Sequence, residues 1–286
     1  MRALVISGGA NKGSWSAGVI KHLLYDLEIK YDALCGVSAG ALNCAFLAMF
    51  KHGEEKAAAL QLEEVWNNID TSKVYKRHFP FGKLHALWGQ SFYDSTPLQE
   101  LLRNGLDLKK IRESGKIVTA GTVSLTSGKY TIFDQTSDHF IDAVIASSAF
   151  PGMLSPISFL GQLWTDGGLK EISPVKKAFE LGADTIDVIV TSPKQRINKF
   201  FKKPSIIEIM TRALDVSTDK ISSNDLEKVE IYNQLALAGI NDRKYVKVNI
   251  IRPDHNLVED ILDFSPIKIK EMMLKGYYDA KSKFIL

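Results

Sequence analysis

The sequence predicts an α/β protein of three layers, α/β/α, with a mostly parallel central sheet. Three observations carry that prediction. Short apolar runs such as RALVIS at 2–7 and DALCGV at 32–37 recur along the chain, segments of helical period follow them, and Gly-rich loops join the two. A short apolar run bounded by glycine suits a strand buried on both faces. Regular alternation of strands with helices suits a parallel sheet crossed by helices.

The elements follow in order. Arg2 to Ser7 reads as a strand, Ser7 to Ser14 as a Gly-rich loop, and Trp15 to Leu27 as a helix with apolar residues at helical spacing. Asp32 to Val37 is a second strand, and helices are expected over Ala39 to Lys51 and Glu54 to Asn68. Ser72 to Tyr93 shows no clear period. Ser95, Thr96 and Pro97 mark a helix start, hydroxyls as caps and proline in the first turn. Lys116 to Ser124 and Lys129 to Asp134 read as strands of a hairpin turning at Thr126-Ser127-Gly128. Asp138 to Ser148 looks helical, and Phe159 to Trp164 looks like another hairpin. A helix around Pro174 to Leu181, a strand at Thr185 to Thr191, helices within Ser205 to Ala238, a strand at Tyr245 to Ile251 and a helix from Ser265 onward complete the pattern. Without an internal repeat or a low-complexity linker, the expectation is one domain over 1–286. Residues 72–93 are expected to form a cap, and 196–286 a helix-rich C-terminal part of the same domain.

Composition narrows the function. Hydrophobic residues make up 45% of the chain and charged residues 24%, the balance of a soluble globular protein. A net charge of +3 is too mild for a nucleic-acid binder, so no nucleic acid is expected. The two cysteines, Cys35 and Cys44, lie in an apolar stretch and suit buried small hydrophobes. The start, MRALVISGGANKG, lacks the longer apolar run of a signal peptide. The apolar run from Ala39 to Phe50 is too short to span a membrane. A cytoplasmic protein, peripheral at membranes, is the expectation. His, Glu and Cys show no metal-ligand spacing, so neither metal nor cofactor is expected.

Three loops carry the chemistry. SGGANKG lies between a strand and a helix, but Lys12-Gly13-Ser14 misplaces the lysine of a phosphate loop, and Ala10 breaks the dinucleotide fingerprint. What remains is a run of N–H groups at a helix N-terminus, suited to an oxyanion or another anion. Gly36-Val37-Ser38-Ala39-Gly40 has the form of a nucleophile elbow, with glycines for a tight turn and close packing. A serine nucleophile needs a base. The order Ser38–Asp166–His255 would fit an α/β-hydrolase-like esterase or acyltransferase, yet only one clear strand precedes the elbow strand. In Asp166-Gly167-Gly168 the two glycines let the chain turn sharply and fix the carboxylate's direction. A non-catalytic module using Gly8 to Gly13 for phosphate stays open beside the two enzyme readings.

Taken in order, SGGANKG, GVSAG and DGG resemble the patatin-like phospholipase family. Ala146-Ser147-Ser148-Ala149-Phe150-Pro151-Gly152 and Ser91 to Leu98 are also similar to family segments, so the likeness spans residues 1 to about 175; Gly276-Tyr277 is family-like as well. The resemblance implies a Ser38–Asp166 dyad with no histidine, and an oxyanion hole from the N–H groups of Gly8, Gly9 and Ala10. Lys12, Gly13, Gly36, Gly40, Gly167 and Gly168 would support these motifs. Two residues depart from the family's pattern. Ala10 stands where a third glycine is usual, and Lys12 replaces an arginine, giving a point charge without the planar fork. The implied reaction is hydrolysis of carboxylic esters in phospholipids or lysophospholipids at a membrane surface. The mixture of basic and aromatic residues in 72–93, repeated at Phe200 to Lys203, suits such a surface. A protein partner is not indicated.

Overall fold

The structure is a computed structural model that describes residues 1–78, 89–194, 201–240, 244–258 and 260–283. The chain opens with β1 (Arg2–Ile6), crosses through α1 (Gly13–Lys21) and returns in β2 (Ala33–Val37), followed by α2 (Ala39–Leu47) and α3 (Glu55–Asn67). Next come α4 (Thr71–Val74), β3 (Lys76–Arg77), β4 (Tyr93–Asp94), α5 (Thr96–Gly105) and α6 (Leu108–Glu113). The hairpin β5 (Ile117–Ser124) and β6 (Tyr130–Asp134) precedes α7 (Phe140–Ser147) and a second hairpin, β7 (Ile157–Phe159) and β8 (Gln162–Asp166). The chain continues through α8 (Val175–Glu180), β9 (Thr185–Ile189), α9 (Ile206–Leu237), β10 (Lys247–Ile251) and α10 (Pro266–Lys283).

The main sheet runs β10-β9-β1-β2-β5-β8-β7, with β6 also on β5. The five strands from β10 to β5 are parallel, and the β5–β6, β5–β8 and β7–β8 pairings are antiparallel. Side-chain alternation divides the core. Leu4 and Ile6 of β1 join Leu34 and Ile189 against α1, α2 and α3, while Ala3 and Val5 join Cys35, Ile186 and Val188 against α8. Helices therefore cover both faces of a mostly parallel sheet, as the alternating apolar runs predict.

Strand β5 sets the position of the site. Its residues 119–123 pair with β6 on one edge. On the other edge, β2 pairs with 117–121 and β8 with 122–124, arriving from opposite directions. Val37 lies opposite Gly121 and Asp166 opposite Thr122. The C-terminal ends of β2 and β8 thus meet head to head on a single strand edge.

Several local expectations change. Ser95 makes no side-chain cap; Asp94 accepts from the Thr96 N–H at 2.9 Å instead, because its carboxylate reaches the first turn. The helices expected within Ser205 to Ala238 are one helix, α9, opened by a capping box of Ser205 and Glu208. The cap expected over 72–93 includes residues 79–88, which lie outside the described residues; its flanks pair as β3 and β4. Phe200 also lies outside the described residues. Among the described residues, no helix is long and apolar enough to cross a membrane.

Candidate active site

The site begins with the sharp turn from β2 into α2. Ser38 has φ 56° and ψ −132°. Such a conformation costs a non-glycine residue on the order of 1–3 kcal/mol, so surrounding contacts must hold it. The glycines on either side supply close packing rather than unusual dihedrals. A Cβ on Gly40 would meet the Ile6 carbonyl oxygen at 2.1 Å, and one on Gly36 would meet the Gly40 backbone at 2.5 Å. Helix α2 can therefore lie directly on the ends of β1 and β2. Ser147, fully buried at the end of α7, accepts the Ser38 N–H at 2.8 Å and donates to the Gly121 carbonyl at 2.6 Å. It fastens the elbow to β5. Ser147 belongs to the small-residue segment singled out in the sequence, but nothing local to it specifies these partners.

Asp166 ends β8 and is 2% exposed. Its Oδ1 accepts the Gly168 N–H at 2.8 Å, and the Ser38 side chain also hydrogen-bonds to it. Burial pushes its pKa up to about 7, against the opposing pull of those two hydrogen bonds. Gly167 lets this turn settle onto β5, since a Cβ there would meet the Gly121 carbonyl oxygen at 2.3 Å.

The Gly-rich loop after β1 packs beside Ser38. A Cβ on Gly8 would lie 3.0 Å from that of Ser38. Thr191, just beyond β9, hydrogen-bonds to the Gly8 carbonyl and to the Ser7 hydroxyl. The Gly8 N–H donates to the Ile172 carbonyl at 3.2 Å, so the expected trio of donors is reduced: that N–H is already engaged. Gly9 and Ala10 make no such bond through their N–H groups among the described residues. Ala10 takes the third position at φ 50°, a left-handed conformation that an alanine adopts only under constraint. Lys12 lines the same cavity, and Gly13 admits Trp66 and Ala39 at distances that would collide with a Cβ.

Ser38, Asp166 and the Gly-rich loop line a cavity of about 230 Å³. Its apolar lining includes Leu42 and Phe46 of α2, Leu62 and Trp66 of α3, and Leu98 and Leu102 of α5. Two further lining residues, Val65 and Leu101, are exposed. Polar residues of α9 also line it. His255 is exposed in the loop after β10 and does not line the cavity; neither does any other histidine among the described residues. No group of three or more His, Cys, Asp or Glu side chains among the described residues could hold a metal ion.

A family model described as Patatin-like phospholipase matches residues 4–179. The chain is 29% identical over 199 residues to Uncharacterized protein YjjU of Escherichia coli (strain K12), covering 68% of this chain and 52% of that protein. It is 24% identical over 256 residues to Probable lipid hydrolase 463L of Invertebrate iridescent virus 6, covering 82% and 86%. Against Calcium-independent phospholipase A2-gamma of Mus musculus it is 24% identical over 196 residues, covering 59% and 24%. The chain thus spans about half the length of the first of these relatives and about a quarter of the last.

Proposed function

The chain belongs to the patatin-like phospholipase family, and we propose that it is a lipid acyl hydrolase in which Ser38 attacks the ester and Asp166 takes its proton. The observation that carries this reading is the buried Asp166 carboxyl, hydrogen-bonded by Ser38 and poised at a pKa of about 7. A base is most effective when its pKa lies near the working pH. Ser38 Oγ adds to the acyl carbonyl while its proton passes to Asp166. The oxyanion is received by the N–H groups of Gly9 and Ala10, with the N-terminus of α2 adding favourable potential. Collapse of the tetrahedral intermediate expels the alcohol, which takes the proton from Asp166. Water, deprotonated by the same carboxylate, then adds to the acyl-enzyme, and the fatty acid leaves as Ser38 regains its proton.

The apolar lining from α2, α3 and α5 suits the acyl chain. From Ser38 to Phe46 helix α2 rises about 12 Å, room for roughly eight or more methylenes in line, given carbon–carbon bonds of about 1.5 Å that advance less than their length in a zigzag. The exposed lining residues Val65 and Leu101 suit entry from a phospholipid or lysophospholipid surface. The unit proposed for this activity is residues 1–286 as one domain: β9 and β10 extend the same sheet, and α9 lines the same cavity.

The test is fatty-acid release from phospholipid, lysophospholipid and p-nitrophenyl esters. Ser38→Ala and Asp166→Asn should each lower kcat by about 10²-fold or more, while His255→Ala should retain activity. Loss of activity in His255→Ala with a folded protein would favour the histidine-dependent esterase instead.

A further inference from the structure

One polar surface of the cavity has no part in the reaction just described. Asp215, Thr218, Asp219 and Ser222 fall at i, i+3, i+4 and i+7, one face of α9, and all four line the Ser38 cavity. Asp225, on the next turn, is 1% exposed and accepts the N–H groups of Ile172 and Ser173 at 2.8 and 3.0 Å. That contact pins α9 to the chain just past the turn bearing Asp166. The polar face runs outward from the pin, with Asp215 about 15 Å farther along the helix.

The electrostatics of this face are directional. Arg212 donates to Asp215 at 2.7 Å, and Arg252 is close enough to interact with Asp219 while donating to the Ser192 and Pro193 carbonyls. Neither arginine lines the cavity, whereas both carboxylates do. The wall therefore presents acceptors. Lys12 also lines the cavity, a charge felt alike by every phosphate-bearing lipid. Ser222 supplies an independent sign of an unfilled partnership. It is 4% exposed, it lines the cavity, and its hydroxyl has no hydrogen-bond partner among the described residues. A buried hydroxyl without a partner is unfavourable, and a ligand that pairs with it relieves that.

We infer that this face of α9 is the headgroup subsite, and that it selects lipids whose headgroup donates hydrogen bonds through an ammonium or free hydroxyls over lipids ending in a bare phosphate. The Asp215 and Asp219 carboxylates accept and do not donate, so an ammonium or a diol finds partners there that a terminal phosphate does not. As a leaving-group subsite it rests on the hydrolase reading above. All of α9 lies beyond the segment matched by the family model.

The experiment measures binding of ether-linked lysolipids with one alkyl chain and an ethanolamine, glycerol or bare phosphate head, read by tryptophan fluorescence below micellar concentration. In parallel, wild type and Ser38→Ala are assayed on the matching ester lipids. The ethanolamine and glycerol lipids should bind about tenfold tighter than the phosphate lipid, the scale of a charge-assisted hydrogen bond. Asp219→Asn and Ser222→Ala should each shrink that ratio. A ratio taken within one variant cancels any general loss of folded protein. Equal binding of the three lipids, or a ratio unmoved in both variants, overturns the subsite even if Ser38-dependent hydrolysis is observed. Headgroup selection without Ser38-dependent hydrolysis overturns the hydrolase reading instead and leaves a headgroup-binding surface.

Discussion

Burial lifts the Asp166 carboxyl to a pKa of about 7, while the Gly168 N–H and the Ser38 hydroxyl pull the other way. The shift bears on both stability and catalysis. The folded pKa lies above the unfolded value of about 3.9, so the stability this carboxyl contributes is fully present below about pH 4. It is lost as the pH rises through about 7, leaving a deficit on the order of 4 kcal/mol above that. Asp166→Asn does not titrate. The melting temperature of Asp166→Asn relative to wild type should therefore climb between pH 4 and pH 8. A difference that stays flat across that range would sink the description of Asp166 as a buried base. In the wild type, kcat/KM on a soluble ester should rise with pH along a limb centred near 7, because in the proposed mechanism only the ionised carboxylate accepts the serine proton.

Elements meet closely only where side chains allow it. Helices α1 and α10 cross with backbone against backbone: a Cβ on Gly18 would meet the Met273 carbonyl oxygen at 1.9 Å, and one on Gly276 the Trp15 carbonyl oxygen at 2.0 Å. Glycine to alanine inside a helix ordinarily gains about 1 kcal/mol from propensity. Here the sign should reverse. Gly276→Ala should lose about 2 kcal/mol or more by forcing the helices apart, read as a lower urea midpoint; an unchanged midpoint would mean that the crossing is looser than this geometry. Close contacts of this kind differ from local patterns in how far the sequence makes them legible. The apolar runs RALVI and ALCGV, the Thr126-Ser127-Gly128 turn and the elbow at Ser38 are local patterns, and each forms the expected element. The engagement of the Gly8 N–H by Ile172, the Ser147 clasp and the polar face of α9 join residues far apart in the chain. Periodicity and motif spacing do not encode such meetings. Asp166 is intermediate: its Asp-Gly-Gly turn is visible, but its approach to Ser38 depends on β2 and β8 sharing one edge of β5.

Across the whole molecule, the proposed reactive site and a buried polar cluster occupy different parts of the sheet. Ser38 and the Gly-rich loop lie just past the C-terminal ends of β2 and β1, where parallel α/β sheets leave a crevice. A buried polar cluster lies farther back in the same sheet. Asp187 of β9 is fully buried and accepts from Arg2 Nε at 2.8 Å, the Tyr31 hydroxyl at 2.7 Å and Asn249 Nδ2 at 2.6 Å. One carboxylate thereby joins β1, β9, β10 and the approach to β2. Burial, followed by the adjacent Asp187 charge, pushes the Tyr31 pKa well up, so its hydroxyl stays a donor. Asp187→Ala would leave the Arg2 guanidinium and the buried Tyr31 hydroxyl without this acceptor. Removing one partner of a buried pair costs about 3–5 kcal/mol, and the partial exposure of Arg2 favours the lower end. The variant should therefore unfold at markedly lower denaturant. Its kcat, normalised to the fraction of Ser38 that a fluorophosphonate titrates, should match wild type, because none of the four residues lines the cavity. A fall in kcat per titrated serine would show instead that the rear of the sheet helps to set the Ser38–Asp166 geometry.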